Sequence, residues 1–458
     1  MSELTYKQPH IATQLDKAAL NQAFAFCDAY KSFLDEAKTE REAVKVTVQM
    51  AEAAGFKPFT WGMPLQAGDK IYYQNRNKSI ILAVIGSAPI SEGVRILAAH
   101  IDACRLDLKQ NPLYEKEELA YFKTHYYGGI KKYQWVSMPL SLHGVVFLAD
   151  GTKKEVCIGE DDNDPVLYIT DLLPHLAQDQ MKRSAPELIK GEELNLLIGS
   201  MPVTDDTDAK CLVKEQILQI LNEKYGITEK DFRSAELSAV PAMKAKDVGL
   251  DRSMIGAYGH DDRVCSYTAL KAILELENPT HTALCVLADK EEIGSCGNTG
   301  LESTFMAYFI EDIAETLGSK ARIVLSASKC LSADVNSAYD PTFPDVFEAA
   351  NSSFCNRGVV VTKFTGARGK SGSSDAHAEF IAEVHHLLDA NNVVWQTGEL
   401  GRVDLGGGGT VAAYIANLNV DVVDVGVPVL SMHAPYEVVA KLDVYMTYKS
   451  FVAFINAQ

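Results

Sequence analysis

Apolar positions along this chain follow two patterns, a helical spacing of three to four residues and short unbroken runs of strand length. From about Lys17 to Gly55, Phe24, Cys27, Ala29, Phe33 and Leu34 recur at helical spacing, and the pattern stops at Gly55, a residue suited to a helix C-terminus. This predicts two helices. Two β-rich runs follow, 79–85 and 94–99, and the second leads directly into His100-Ile101-Asp102. Between residues 106 and 235 the pattern weakens to short strand-like pieces, polar segments and one helical stretch, Ala209 to Tyr225. From Glu236 onward it strengthens again. Strands are predicted at 282–288, 321–327, 358–364, 392–395 and 422–430, and helices at 262–276, 302–317, 374–390, 409–417 and 436–456. Such alternation predicts an α/β fold, a mixed sheet covered by helices with ligand groups emerging at strand ends. Residues 1–105 and 236–458 would form the main domain, and 106–235 a smaller, β-rich inserted domain.

Composition narrows the partners rather than the fold. The chain has 458 residues, 47% of them hydrophobic, enough for a large core. A formal net charge of -18 argues against nucleic acid or an anionic membrane surface as partner. Nine cysteines without a C-x-x-C pair fit a reducing compartment, where most thiols act as small core residues. The stretch Met1 to Lys7 lacks the apolar region of a signal peptide, and no apolar run reaches membrane-spanning length, so the expected location is cytoplasmic.

The chemistry gathers around Asp289-Lys290-Glu291-Glu292, which follows the apolar run 282–288. Adjacent carboxylates at the end of a buried strand are costly unless something cationic sits against them. Four other places put a potential metal ligand at a strand end or before a helix: His100-Ile101-Asp102, Asp261-Asp262-Arg263, Ser332-Ala333-Asp334 and Ser431-Met432-His433. Each alone has a bland explanation, as a turn, a helix cap or a buried histidine. As a set they have a physical logic. Two divalent cations about 3.5–4 Å apart need a bridging carboxylate, terminal ligands and a water. One histidine and one carboxylate per ion plus a shared aspartate would use His100, Asp334, Glu292, His433 and Asp261. Glu291 is then left over, and a spare carboxylate beside the water is what a hydrolase needs as general base.

In this order and spacing the set resembles the M18 family of metallo-aminopeptidases, whose best-known members are the aspartyl aminopeptidases, and the resemblance spans nearly the whole chain. It implies a zinc-type dinuclear centre, with cobalt or manganese as alternatives because His and carboxylate ligands suit several first-row ions. His100 and Asp334 match ligands of one ion, Glu292 and His433 those of the other, Asp261 the bridging carboxylate. Glu291 matches the general base, and Asp102 the aspartate that orients His100. The resemblance further implies peptide substrates, removal of N-terminal residues with a preference for acidic ones, dimerisation through the inserted domain, and a homo-oligomeric dodecamer. A deacylase or carboxypeptidase of the same fold, or a catalytically silent peptide-binding scaffold, are the alternatives.

Two segments depart from the aspartyl type. Tyr127-Gly128-Gly129 is followed by Ile130 and, with no histidine, by Trp135, where aspartyl-type members carry a third glycine and a histidine-containing stretch. Val403 to Thr410, with glycines at 406–409, looks like a bacterial branch of the family. Both leave the metal chemistry in place and speak against a strict acidic preference. The glycines suit close backbone approach or substrate contact, and Lys363, Arg368 and Lys370 suit a solvated loop or, alternatively, contact with an acidic side chain.

Overall fold

A computed structural model describes residues 4–203 and 211–458. The chain divides into two compact units, one of residues 1–103, 245–432 and 437–458, the other of residues 104–244 and 433–436.

The first unit is built on a nine-stranded sheet among the described residues. Its spatial order is Lys57–Pro58, Lys70–Asn75, Ser79–Val84, Ala283–Ala288, Arg95–His100, Lys329–Ser332, Asp421–Gly426, Val359–Thr362 and Trp395–Thr397. Side chains alternate between its two faces. Leu97, Ala99, Cys285 and Leu287 enter one apolar cluster, while Ile96, Ala98, Leu284 and Val286 enter another. Central strands buried on both faces read as continuous apolar runs, as their sequences do.

Four neighbouring strands, Ala283–Ala288, Arg95–His100, Lys329–Ser332 and Asp421–Gly426, run parallel to one another in that order. Ala288 pairs with His100, and Ser332 with both Ala98 and Asp424. Their C-terminal ends are therefore level, and the segments leaving them share one edge of the sheet. That edge is where ligands bind in open α/β sheets.

Helices Lys17–Glu36 and Glu40–Ala53 occupy the expected N-terminal region. The second begins with a Thr39/Glu42 capping box and ends ahead of Gly55, whose φ of 87° is the left-handed value a C-terminal glycine supplies. Further on, the helices include His260–Leu274, Phe305–Thr316, Ala378–Ala390, Ala412–Ala416 and Lys441–Ile455.

Three expectations are corrected. The run 321–327 is the helix Ala321–Ser326, and the strand is Lys329–Ser332 just beyond it. Val324 and Leu325 are buried whereas Ile323 is 46% exposed, a side-chain order that follows no two-residue alternation. The run 422–430 is two strands, Asp421–Gly426 in the large sheet and Pro428–Leu430 in a five-stranded one. The segment 436–456 likewise begins as the strand Glu437–Ala440 before turning helical.

The second unit carries a seven-stranded sheet in the order Glu236–Pro241, Arg105–Lys116, Leu119–Tyr127, Asn195–Gly199, Leu167–Tyr168, Pro139–Phe147 and Lys153–Ile158. Glu236–Pro241 pairs with both Arg105–Lys116 and Pro139–Phe147, which closes the sheet on itself. That strand lies past residue 235, so the compact unit runs on to Lys244. Its helix is Leu212–Tyr225; the predicted start at Ala209 lies outside the described residues. Among the described residues no helix is long and apolar enough to cross a membrane.

Candidate metal centre

His100 is the last residue of its strand, and its side chain is 1% exposed. Its Nδ1 lies 3.1 Å from the Asp102 carbonyl and 3.3 Å from Asp102 Oδ1. Its Nε2 faces three carboxylates, with Asp261 Oδ1 at 3.1 Å, Glu291 Oε2 at 3.8 Å and Asp334 Oδ1 at 3.9 Å. None of them meets Nε2 in hydrogen-bonding geometry. His100, Glu291 and Asp334 can each turn one ligand atom to within 4.8 Å of the others.

Each acid reaches this place by a different local device. Asp261 and Asp262 open the helix His260–Leu274 with non-helical backbone and a cis peptide between them. The Asp261 amide donates to Glu437 Oε2 at 3.0 Å. Glu291 and Glu292 form the turn after the Ala283–Ala288 strand, bracketed by left-handed Lys290 and Gly294. The Asp102 carboxylate holds that turn from inside, accepting from the Glu291 amide at 3.1 Å and the Glu292 amide at 3.2 Å. Asp102 thus touches both the histidine and the backbone that carries the glutamates.

Asp334 leaves its strand beside Gly426. A Cβ at position 426 would lie 1.6 Å from the Asp334 carbonyl oxygen, so only glycine permits this approach. Gly426→Ala is expected to lower stability by about 1–3 kcal/mol, as overpacking does, and to reduce metal content with it. Thermal melts and metal analysis check this, and an alanine variant unchanged in both would show that the backbone yields there.

The electrostatics favour a cation. Burial raises the Asp334 carboxyl well above its usual range, and Asp262 adds to this while His100 opposes it. Burial does the same to Asp262. Burial alone would lower the His100 pKa, but Asp102 and Asp261 lift it well above the ordinary value. Several buried carboxylates thus share one imidazole, an excess of negative charge that a divalent ion would neutralise. A donor set of histidine and carboxylates suits zinc and its first-row neighbours.

The remaining sequence candidates are placed as follows. Glu292 is half-buried, in the same turn as Glu291. His433 falls in the second unit, where its Nδ1 is 3.1 Å from the Gly129 carbonyl. Lys363 and Lys370 both pair with Asp375, at 2.5 and 2.8 Å, so that two ammonium groups share one carboxylate. Within the glycine run, Gly406 and Gly407 serve backbone packing. A Cβ at Gly407 would meet the Gly366 carbonyl at 2.1 Å, and one at Gly406 the Leu400 carbonyl at 1.8 Å.

Two participants carried no role in the sequence reading. Asp262 reads as the neighbour of a ligand, but it is completely buried and acts electrostatically on Asp334. Glu437, which fixes the Asp261 backbone, carries no sequence signal beyond its place after His433.

Comparison with known proteins identifies the family of the chain as a whole. The family described as aminopeptidase I zinc metalloprotease (M18) matches residues 33–455. The chain belongs to the M18 family. It is accordingly a metal-dependent aminopeptidase. A probable M18 family aminopeptidase 1 from Clostridium acetobutylicum is 49% identical over 449 residues, covering 96% of each chain. The crystal structure of an M18 aminopeptidase from Thermotoga maritima superposes with a TM-score of 0.94 at 42% identity, covering 99% of this chain and 100% of that one. The yeast (S. cerevisiae) mApe1 dodecamer shares the fold at a TM-score of 0.76 and 20% identity, covering 95% of this chain and 97% of that one.

Proposed function

We propose that this M18 chain removes N-terminal residues from short peptides with two divalent ions, most simply zinc, and with Glu291 as general base. The observation that carries this is the environment of His100 Nε2, which faces the carboxylates of Asp261, Glu291 and Asp334 at 3.1 to 3.9 Å. His100 and Asp334 are assigned to one ion and Asp261 to the bridge. Glu292 is assigned to the other ion, and on the family resemblance alone His433 joins it there.

When bound, such a pair of ions polarises the peptide carbonyl and acidifies a water. The residues do the rest. Asp102 keeps the His100 ring oriented through Nδ1, which leaves Nε2 to face the site. Glu291 takes the proton of the attacking water and delivers it to the departing amine. Its turn is held by the Asp102 carboxylate, so the base need not be repositioned during the reaction.

A preference for an acidic N-terminal residue rests on the family resemblance alone; Lys363 and Lys370 share the one carboxylate of Asp375. Assembly into a homo-oligomer, a dodecamer with the inserted segment forming dimer contacts, and a cytoplasmic location are part of the same proposal. They are supported by the family resemblance and, for the assembly, by the yeast mApe1 dodecamer.

A deacylase or carboxypeptidase would use the same ions on a differently placed amide. Release of the first residue from an unblocked peptide, with at least about 100-fold slower cleavage of its N-acetylated form, is the expected result by mass spectrometry. Discrimination of that size corresponds to about 2.7 kcal/mol. Preferred cleavage of the acetylated peptide would favour the deacylase.

A further inference from the structure

A buried cation stands against Asp289, two residues before Glu291. The hairpin between Lys70–Asn75 and Ser79–Val84 turns through Arg76 and Asn77, with φ of 57° and 56°, the left-handed values of a tight two-residue turn. That turn delivers Lys78, whose Nζ is 3.0 Å from Glu40 Oε1 and 3.7 Å from Asp289 Oδ2. The Asp289 side chain has no exposure, that of Glu40 6% and that of Lys78 14%. Asp289 Oδ2 also accepts from Thr299 Oγ1 at 2.7 Å. Beside this, Asn75 Nδ2 donates to the Asn298 carbonyl at 2.9 Å. The hairpin therefore grips both ends of the 289–299 loop, and that loop carries Glu291 and Glu292.

We propose that Lys78 is a positioning residue, holding Asp289 from the hairpin tip and thereby aiming the Glu291–Glu292 turn at the attacking water. This rests on the assignment of Glu291 as base. Without the ammonium, Glu40 and Asp289 would be two buried carboxylates with no charge between them, an arrangement that separates or takes up protons. Burial and Glu40 already push the Asp289 carboxyl upward, and Lys78 counters them. Asp289 is two residues from Glu291, and the left-handed Lys290 between them leaves little room to absorb a shift at 289. The other supports act elsewhere: Asp102 on the amides of the turn, and the Tyr414 hydroxyl on the Gly294 carbonyl at 2.9 Å. At the entry to the turn Lys78 acts together with Thr299, whose hydroxyl donates to Asp289 and whose carbonyl accepts from the Asp289 amide at 3.3 Å.

The test compares wild type, Lys78→Met, Lys78→Arg, Thr299→Val and Glu291→Gln, each purified with zinc and assayed on an aminoacyl 4-nitroanilide. Zinc content and melting temperature are measured alongside. Lys78→Met is expected to lose kcat by about 10- to 100-fold, the scale of a misplacement of about 1 Å, with KM and zinc per chain unchanged. Lys78→Arg is expected to recover most of that loss. Thr299→Val removes only the hydroxyl bond to Asp289 and should lower kcat in the same direction, which keeps the test decisive if Lys78→Met does not fold. A folded, zinc-loaded Lys78→Met with wild-type kcat overturns the proposal; where Lys78→Met does not fold, a Thr299→Val with unchanged kcat overturns it. So does a loss of kcat that only tracks loss of folded protein and is not restored by arginine. Glu291→Gln separates the two levels. If it is inactive while Lys78→Met runs at full rate, only the positioning role fails; if it is active, the base assignment fails.

Discussion

Glu291→Gln is expected to reduce kcat by about 10²- to 10⁴-fold, the range associated with a lost general base, while the chain keeps its full complement of metal. Glutamine is nearly isosteric with glutamate and cannot take up the proton. The turn should survive, because Asp102 holds it through the backbone amides of residues 291 and 292 and not through their side chains. The demanding part of the prediction concerns the metal. Glu291 Oε2 is 3.8 Å from His100 Nε2, near enough to be a ligand if the ions sit differently. Metal analysis of the purified variant decides between the roles. Loss of one ion along with activity would make Glu291 a ligand, and retained turnover would remove it from the chemistry.

Asp261→Ala should weaken both ions together, each by more than about 100-fold, since loss of a supporting contact to a ligand typically costs 10- to 100-fold. The Asp261 amide would still donate to Glu437, so the backbone keeps its anchor and the effect reports on the carboxylate. Removing that charge takes away the acid that lies 3.1 Å from His100 Nε2. Titration against a chromogenic chelator resolves the two affinities. A variant that releases one ion and holds the other at wild-type strength would refute the bridge.

What the sequence made legible follows from how directly each residue is tied to a strong local pattern. His100 and the Asp289–Glu292 stretch each follow an uninterrupted apolar run, and those runs are the buried central strands. Asp334 was found by its motif, although the strand that delivers it was misplaced. That strand, Lys329–Ser332, has only Cys330 and Leu331 as apolar residues, while the more apolar segment before it winds as a helix. Lys78 was not legible at all. It stands in an ordinary polar hairpin turn, and what matters about it is a contact with Asp289, far along the chain. Lys78 does not answer the expectation of a cation against the Glu291-Glu292 pair, because it faces Asp289 and Glu40, and no local pattern says which distant residue a buried acid will meet. The glycine run was ambiguous for a related reason: close approach of two backbones leaves no signature except the absence of side chains.

Asp102 gives the centre a property that concerns its history more than its rate. One carboxylate serves the imidazole of His100 and the amides of Glu291 and Glu292. A substitution at 102 is therefore expected to disturb the proposed ligand and the proposed base in one step, and a later change at 100 or 291 to act on a site already impaired. The effects at these positions are expected to be non-additive in a double-mutant cycle, so that exchanging them singly passes through a poor enzyme. Variation is freer where a side chain serves one neighbour; at Asp102 the fold has joined several requirements in a single residue, and they can only be inherited together.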